Sequence, residues 1–280
     1  MSVHVSQWRL LMQRPNAMVG LPLLIVIFLA ALVGSVYTPY DPMEIDLAIR
    51  LAPPSALHWF GTDEWGRDVL SRLLVGSGTS ISISVAAVLI AVTAGSVLGA
   101  AIAFFGGWAE RLVTTVLDAL LAFPSLIMAL SIMAVFGPSS SGVVLALSLA
   151  YLPSVARVVR ATVLSLREKE FVQASRVMGN SELFTLFRHI LPNCVSPITV
   201  LGTALFGWAL LAESSLSFLG LGVPPPMASW GGMLADSRNH IAHAPWLAIA
   251  PGLTMSISLL AVNLFGDALR DHYDPRMKNL

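Results

Sequence analysis

The chain has 280 residues, of which 56% are apolar and only 11% are charged, and its mean hydropathy is +0.77. Soluble domains carry about 25% charged residues, so this composition excludes a soluble globular protein. The sixteen basic and sixteen acidic residues cancel, which argues against nucleic acid as a partner. The single cysteine, Cys194, excludes a disulfide framework and a Cys-rich metal site. The composition is that of an all-α integral membrane protein surrounded by lipid.

Six apolar stretches are long enough to cross a membrane, since a helical crossing needs about 20 mainly apolar residues. The turn signal at 137–142 divides the charge-free interval 119–156 between two of them. The predicted spans are approximately Met18–Tyr37, Gly78–Phe105, Leu112–Phe136, Val143–Val163, Val195–Leu221 and Pro245–Gly266. The first span is longer than the apolar region of a signal peptide and precedes no clear Ala-x-Ala site, so an uncleaved anchor is expected.

The distribution of lysine and arginine orients these spans with both termini in the cytoplasm. Twelve of the sixteen basic residues then lie on the cytoplasmic side. A shift of the assignment by one span would remove this excess of positive charge on the cytoplasmic side. The four outer residues are Arg50, Arg67, Arg72 and Arg238. The predicted organisation is a cytoplasmic tail (1–17), a first transmembrane anchor (18–37), a periplasmic segment (38–77), a five-helix core (78–267) and a cytoplasmic tail (268–280).

The periplasmic segment contains a pattern typical of an amphipathic helix. Thr62 can cap a helix there, and the two acidic residues that follow suit its first turn. Trp65, Val69 and Leu73 recur at intervals of four residues, which places them on one face. A helix on the outer membrane surface is one interpretation. A packing element at the outer mouth of the protein is the other.

The loop between the fourth and fifth spans, 165–192, carries most of the remaining cytoplasmic charge. A short helix is predicted from Ser165 to Met178, with Phe171 and Ala174 on one of its faces. Gly179 suits the left-handed position that ends a helix. The first half of the loop is therefore predicted to be a helix followed by a chain reversal.

A second short helix is predicted in the other half of this loop. Ser181 is placed to cap it, with Glu182 in its first turn, and Pro192 is expected to stop it. The helix presents Phe184, Phe187 and neighbouring leucines. Exposed aromatic residues on a cytoplasmic loop are unfavourable unless a partner covers them. Burial of the same residues in the membrane surface is the alternative.

Two acidic residues, Asp118 and Glu213, lie inside predicted spans. Acids at membrane depth are costly, so their presence suggests a function such as lining a pathway. A helix-to-helix hydrogen bond or a neighbouring arginine would satisfy them equally well, and both interpretations stay open. Gly95 and Gly99 form a GxxxG pattern, for which close helix packing is the expected use.

Several types of chemistry find no support in the chain. Neither of its two lysines, Lys169 and Lys278, belongs to a P-loop, so the chain is not expected to bind ATP by such a motif. The motifs H-E-x-x-H and G-x-S-x-G do not occur. His240 and His243 form an H-x-x-H pattern without a third ligand, and a polar loop is the expected interpretation. No catalytic or metal-binding site is predicted.

Four stretches resemble the inner-membrane permeases of binding-protein-dependent ABC importers, in the dipeptide, oligopeptide and nickel branch. The loop 165–192 is similar to that family's EAA loop, E-A-A-x3-G-x9-I-x-L-P, with Gln, Ser and His in place of its first Glu, second Ala and Ile. The matching residues there are Gln173-Ala174-Ser175, Gly179 and His189-Ile190-Leu191-Pro192. The other similar stretches are Phe60–Arg72, Leu216–Gly222 and Asn263–Arg276.

This resemblance implies the type I importer permease fold in a bacterial inner membrane. It also implies a second related permease, two cytoplasmic ATPases that use ATP and magnesium, and a periplasmic or lipid-anchored solute-binding protein. The chain itself would be no enzyme and would bind no cofactor. The residues that the resemblance places in the ATPase-docking segment, with the neighbouring anchors, are Glu170, Phe171, Gln173, Ala174, Ser175, Gly179, Phe184, Leu191 and Pro192.

Di- or oligopeptides are the solutes expected from the branch as a whole, with nickel, metal chelates and glutathione-like compounds as alternatives. A different class of protein, an ion-coupled carrier, would use Asp118 and Glu213 as ion sites. Such carriers often contain internal inverted repeats, and no clear repeat occurs in this chain. The importer is therefore the favoured hypothesis.

Overall fold

The computed structural model describes residue 12 and residues 14–273, so much of both predicted tails lies outside the described residues. Five of the described helices are long and apolar enough to cross a membrane, and a bent pair supplies a sixth crossing when counted as one span. The helices are α1 Pro15–Val36, α2 Val69–Phe105, α3 Gly107–Leu121, α4 Ser125–Phe136, α5 Ser140–Arg167, α6 Glu170–Val177, α7 Glu182–Phe218, α8 Trp230–Ser237 and α9 Trp246–Tyr273. The predicted number of spans agrees with this arrangement.

Helices α2 and α5 run side by side in the same direction at the centre of the bundle. The hydroxyl of Ser148 donates to the carbonyl of Ala87 at 3.2 Å. Nearer the end of both helices, the guanidinium of Arg167 donates to the carbonyl of Ala103 at 2.6 Å. Because the two helices are parallel, the α3–α4 pair, which joins them in the chain, must carry the chain back across the bundle.

The two ends of the bundle differ in what connects the helices. One end carries residues 168–190, which follow α5 and include the first nine residues of α7, and is called here the hairpin end. The other carries residues 37–68 and 219–245 and is called the loop end. The 37 residues of α7 reach from one end to the other, a length of about 55 Å at 1.5 Å per residue.

Both ends of the described chain lie at the hairpin end. The indole of Trp246, at the start of α9, donates to the carbonyl of Thr62 at 3.3 Å, which places the start of α9 at the loop end. The other end of α9 carries Asp271, whose carboxylate lies 3.4 Å from the guanidinium of Arg14 before α1. An even number of crossings requires this arrangement.

The third predicted span is not one continuous helix. The chain over Leu112–Phe136 forms α3 and α4, which meet at an angle of 91°. Pro124 lies at the break and has no amide hydrogen to donate, and a proline disfavours helical geometry in the residue before it. The Phe123-Pro124 pair is therefore the sequence signal for the bend, and its effect was missing from the prediction.

The second predicted span begins nine residues earlier than expected, at Val69 instead of Gly78. The predicted amphipathic helix from Thr62 is wrong, because Asp68 caps α2 by accepting from the amide of Ser71 at 2.8 Å. Thr62 is fully buried in the preceding loop and pairs with Asp68 in an isolated bridge. The segment is a packing element of the loop end, in agreement with the alternative interpretation.

The GxxxG pattern packs α2 against α5, as predicted. A methyl group added at Gly95 would lie 2.7 Å from the side chain of Val155, and one at Gly99 would collide with the carbonyl of Ala156. The two helix backbones therefore approach more closely than any larger residue would permit. This contact fixes the level of α5 relative to α2.

Candidate coupling hairpin and membrane-embedded acids

The segment at the hairpin end folds as two helices joined by a tight reversal, named here the coupling hairpin (170–190). Gly179 has a φ of +81°, which L-residues with a side chain rarely adopt. Ser181 caps α7, since its hydroxyl accepts from the amide of Phe184 at 3.2 Å. The guanidinium of Arg176 pairs with the carboxylate of Glu182 at 2.8 Å across the reversal. The predicted helix end at Gly179 and the predicted helix cap at Ser181 are confirmed.

The boundaries of the two predicted hairpin helices differ from those observed. The first helix is not continuous from Ser165, because α5 ends at Arg167 and α6 begins only at Glu170. Pro192 does not stop the second helix either. It lies near the start of the regular α-helical part of α7, where a missing amide donor costs nothing, after a wider π turn at Leu186–Ile190.

A buried polar contact holds the two helices of the coupling hairpin together. The hydroxyls of Ser175 and Thr185 lie 2.9 Å apart, and both side chains are fully buried. The amide of Asn180 donates to the Ser175 hydroxyl at 3.2 Å. Val172 is buried beside them. Ser175 therefore faces inward and is not part of the surface open to a partner, unlike the other predicted docking residues of α6.

The opposite face of the coupling hairpin is apolar and exposed. Its large exposed side chains are Phe171, Val177, Met178, Leu183, Phe184 and Phe187. Glu170, Gln173, Ala174 and Gly179 lie exposed among them. The ring of Phe184 meets that of His189 edge-on, with centroids 5.9 Å apart. Leu183 and Phe187 line a cavity together with Phe104 and Phe105 of α2, whereas Phe171 and Phe184 do not. Exposed apolar side chains in such numbers mark a site of protein or membrane contact.

The remaining predicted docking residues lie where the coupling hairpin joins the core of α7. Leu191 is half-buried and Pro192 is exposed. The helix α7 continues from Glu182 to Phe218 through the π turn at Leu186–Ile190, so the second half of the hairpin and the membrane-spanning segment belong to one continuous helix. The Arg167–Ala103 hydrogen bond ties the preceding helix to α2 at the same level. The hairpin is thus firmly connected to the transmembrane bundle.

Asp118 pairs with an arginine, as one of the two interpretations anticipated. Its carboxylate lies 2.5 Å from the guanidinium of Arg157 on α5. A second pair, Glu110 with Arg160, joins the same two helices at 2.5 Å. Both contacts link residues that are distant in sequence, so helical spacing could not predict which acid pairs with which arginine.

Glu213 is fully buried near the loop-end terminus of α7. The hydroxyls of Ser217 and Ser214 donate to its carboxylate at 2.9 Å and 3.3 Å. Ser217 in turn accepts from Ser229, which caps α8, at 3.4 Å. The acid is therefore linked through Ser217 to the residue that caps α8.

Comparison with known proteins decides the family. The family described as "Binding-protein-dependent transport system inner membrane component" matches residues 91–279, which is more than half of the chain. The chain belongs to this family. A second description, "N-terminal TM domain of oligopeptide transport permease C", matches residues 6–54. The chain is therefore a bacterial inner-membrane permease subunit of an ABC importer, which functions with ATPase and solute-binding partners, and it is not itself an enzyme.

Relatives match the permease over nearly its whole length. A "Putative peptide transport system permease protein" of Brucella suis is 43% identical over 96% of this chain and 91% of its own. The "Dipeptide transport system permease protein DppC" of Alkalihalophilus pseudofirmus is 40% identical over 98% and 92%. The "Glutathione transport system permease protein GsiD" of Escherichia coli O6:K15:H31 is 38% identical over 97% and 90%.

The fold of the permease matches that of a solved ABC transporter. An inward-facing structure of the MetNI methionine ABC transporter aligns with a TM-score of 0.60 and 14% identity, covering 72% of this chain and 97% of that one. At this identity the match concerns the fold alone. It agrees with the type I permease fold that the resemblance implied.

The loop end of the permease carries a network of ion pairs that was not predicted from the sequence. Arg67 donates to the carboxylate of Asp63 at 2.7 Å, and Arg72 lies 3.5 Å from the same carboxylate. His240 lies 2.8 Å from the carboxylate of Glu64, which links the two loops of this end. The H-x-x-H histidine is thus paired with an acid, and the described residues contain no cluster of three metal-ligating side chains.

Proposed function

We propose that this permease is one of two related membrane subunits that together form the pore of an ATP-driven importer of di- or oligopeptides. The names of the relatives given above support peptides as the solute class. In this proposal both termini are cytoplasmic, two cytoplasmic ATPases use ATP and magnesium, and a periplasmic or lipid-anchored binding protein delivers the solute. The positive charge concentrated toward the hairpin end supports the orientation.

The exposed apolar face of the coupling hairpin is the observation that carries the proposal. Phe171 and Phe184 project from a unit whose interior is fixed by buried contacts. Aromatic side chains of this kind supply most of the binding energy when they enter pockets on a partner. The small exposed residues Ala174 and Gly179 allow the partner to approach closely. We assign this face to the ATPase.

The mechanism that follows is alternating access. ATP binding brings the two ATPases together, and each coupling hairpin moves with the ATPase that holds it. Because α7 continues from the hairpin to the loop end, the displacement reaches the far side of the membrane. The permease pair then changes from inward-open to outward-open and accepts solute from the binding protein. Packing of the hairpin determines how well this movement is transmitted.

Glutathione is the second candidate solute, since one of the relatives is named for its transport. It is itself a peptide with ionised termini, so the same permease chemistry serves both. Uptake of a labelled dipeptide, in competition with unlabelled glutathione, separates the two. A dipeptide importer keeps its uptake at a tenfold excess of glutathione, whereas a glutathione importer loses most of it.

The coupling role is tested in vesicles containing the complete transporter, with ATP enclosed and binding protein and labelled dipeptide outside. Gly179→Pro cannot adopt the φ of +81° and is expected to abolish uptake while the subunit stays inserted. Phe184→Ala is expected to lower uptake at least tenfold and to release the ATPase during purification. Trp108→Ala, at a more exposed aromatic residue of the same end that lies outside the hairpin, is the control and retains uptake. Normal uptake by Gly179→Pro contradicts the coupling role.

A further inference from the structure

The ion pair between Asp118 and Arg157 lies well inside the apolar part of the bundle. Arg157 follows Ala156, whose carbonyl touches Gly99 of α2. Helix α2 continues for six more residues, to the exposed Phe105. At 1.5 Å per residue, the pair is therefore about 9 Å inside the apolar end of α2.

Both members of this pair are about half exposed. The side chain of Arg157 is 54% exposed and that of Asp118 is 55% exposed. Charged groups facing hydrocarbon are strongly unfavourable. The long side chain of arginine can extend toward the membrane surface, but the short side chain of aspartate cannot. The face that carries Asp118 must therefore contact water or another protein.

The break between α3 and α4 also indicates that this face contacts water or another protein. Ala122, Phe123 and Pro124 are exposed, and the helix turns by 91° there. Non-helical backbone at membrane depth leaves polar groups without helical partners. Such backbone is tolerated only where protein buries it or where it lines a water-filled cavity. Here the described protein does not bury it.

A polar stripe connects this region with the hairpin end. Arg111, Thr115 and Asp118 are four and three residues apart on α3, so they share one helix face. All three are exposed. The stripe extends for about 10 Å along the helix at 1.5 Å per residue. It ends at the Asp118–Arg157 pair, which presents one negative and one positive charge side by side.

We propose that this stripe lines the aqueous translocation path of the permease, and that Asp118 and Arg157 contact the ionised groups of the solute in transit. A peptide carries an ammonium group and a carboxylate, which complement the two charges. The choice of a peptide as the solute rests on the proposed function. The position of the stripe on a water-filled path does not depend on which solute is carried.

Thiol labelling tests the position of the stripe in the complete transporter. The chain's one cysteine, Cys194, is fully buried and serves as a silent background. Thr115→Cys is expected to react with a charged, membrane-impermeant thiol reagent at least tenfold faster than Val26→Cys. Val26 is an exposed residue in the middle of the apolar helix α1. Both variants are expected to react with a lipid-soluble maleimide, Val26→Cys only slowly, because a thiol in hydrocarbon forms little of the reactive thiolate.

Two outcomes of the labelling overturn the inference. If Thr115→Cys reacts only with the lipid-soluble maleimide, the stripe faces lipid. If it reacts with neither reagent, another subunit covers the stripe. Neither outcome depends on transport, so a failure here is distinguishable from a failure to import peptides.

A charge reversal tests the contact with solute. Asp118→Arg combined with Arg157→Asp retains an ion pair but exchanges the two charges. The pair Asp118→Asn with Arg157→Gln removes both charges while keeping polar side chains at both positions, and serves as a second variant where the reversal does not insert. Each is expected to lower dipeptide uptake at least tenfold at an unchanged level in the membrane. Uptake like that of the parent in either variant shows a purely structural pair and overturns the solute contact.

Discussion

The hydroxyl of Ser175 lies 2.9 Å from the hydroxyl of Thr185, and this contact joins the two helices of the coupling hairpin from the inside. Both residues are fully buried, so no water replaces the hydrogen bond when one partner is lost. The contact makes the hairpin a single unit, which is the property a coupling element needs.

Loss of one hydroxyl is therefore expected to loosen the hairpin. Thr185→Val leaves the Ser175 hydroxyl with one fewer partner, at a cost of about 1–3 kcal/mol. Thr185→Ser retains the hydroxyl and is the matched control. Hydrogen exchange of the amides in 170–190 is expected to accelerate in the valine variant, with lower dipeptide uptake. Equal exchange rates in both variants contradict the role of this contact.

The approach of α2 to α5 predicts an unequal effect of alanine at two glycines of the same helix. Gly99→Ala places a methyl group against the Ala156 carbonyl, and such overpacking costs about 1–3 kcal/mol. Gly78→Ala meets only the carbonyl of Ala31, at 3.7 Å, and is expected to be tolerated. Thermal unfolding of the purified complex measures the difference. A lower midpoint for Gly78→Ala than for Gly99→Ala does not fit the structure.

Glu213 is expected to matter for stability through its serine partners. Glu213→Leu removes the acceptor of two serine hydroxyls, whereas Glu213→Gln retains an acceptor oxygen. The leucine variant is expected to be less stable than the glutamine variant by about 1–3 kcal/mol. The measurement is the fraction of folded complex after a fixed heating step. If Glu213→Gln inserts normally yet transports nothing, the acid has a role in the pathway instead.

The loop end is expected to lose stability as the pH rises. Burial raises the pKa of the Asp236 carboxyl above its ordinary 3.8, while the neighbouring Arg72 opposes this shift. The folded state therefore holds the Asp236 proton more tightly than the unfolded state does, and this contribution disappears as the pH passes through the raised pKa.

Asp236→Asn cannot titrate, so its pH dependence should be flatter than that of the parent between the ordinary pKa of 3.8 and the raised one. Thermal unfolding midpoints of parent and variant across this interval provide the comparison. Parallel pH profiles for the two proteins show that Asp236 makes no such contribution.

Much of the coupling hairpin was predictable because its determinants are local. Gly179 is required where the chain adopts a positive φ, and Ser181 caps the helix that follows within three residues. The bend at Pro124 had an equally local signal. By contrast, the inward orientation of Ser175 depends on Thr185 in the other helix, so helical spacing around Phe171 and Ala174 could not reveal it.

The sequence alone determined the number of crossings, the pattern of charge at the two ends and the chain reversal in the hairpin. Hydropathy, helix capping and positive φ depend on residues within a few positions of one another. Only the tertiary structure decided the partner of Asp118, since Asp118 and Arg157 are 39 residues apart, and only the packing of α8 brought Ser229 against Ser217 of α7. Which distant side chains meet depends on how the helices pack, and no short-range pattern encodes that.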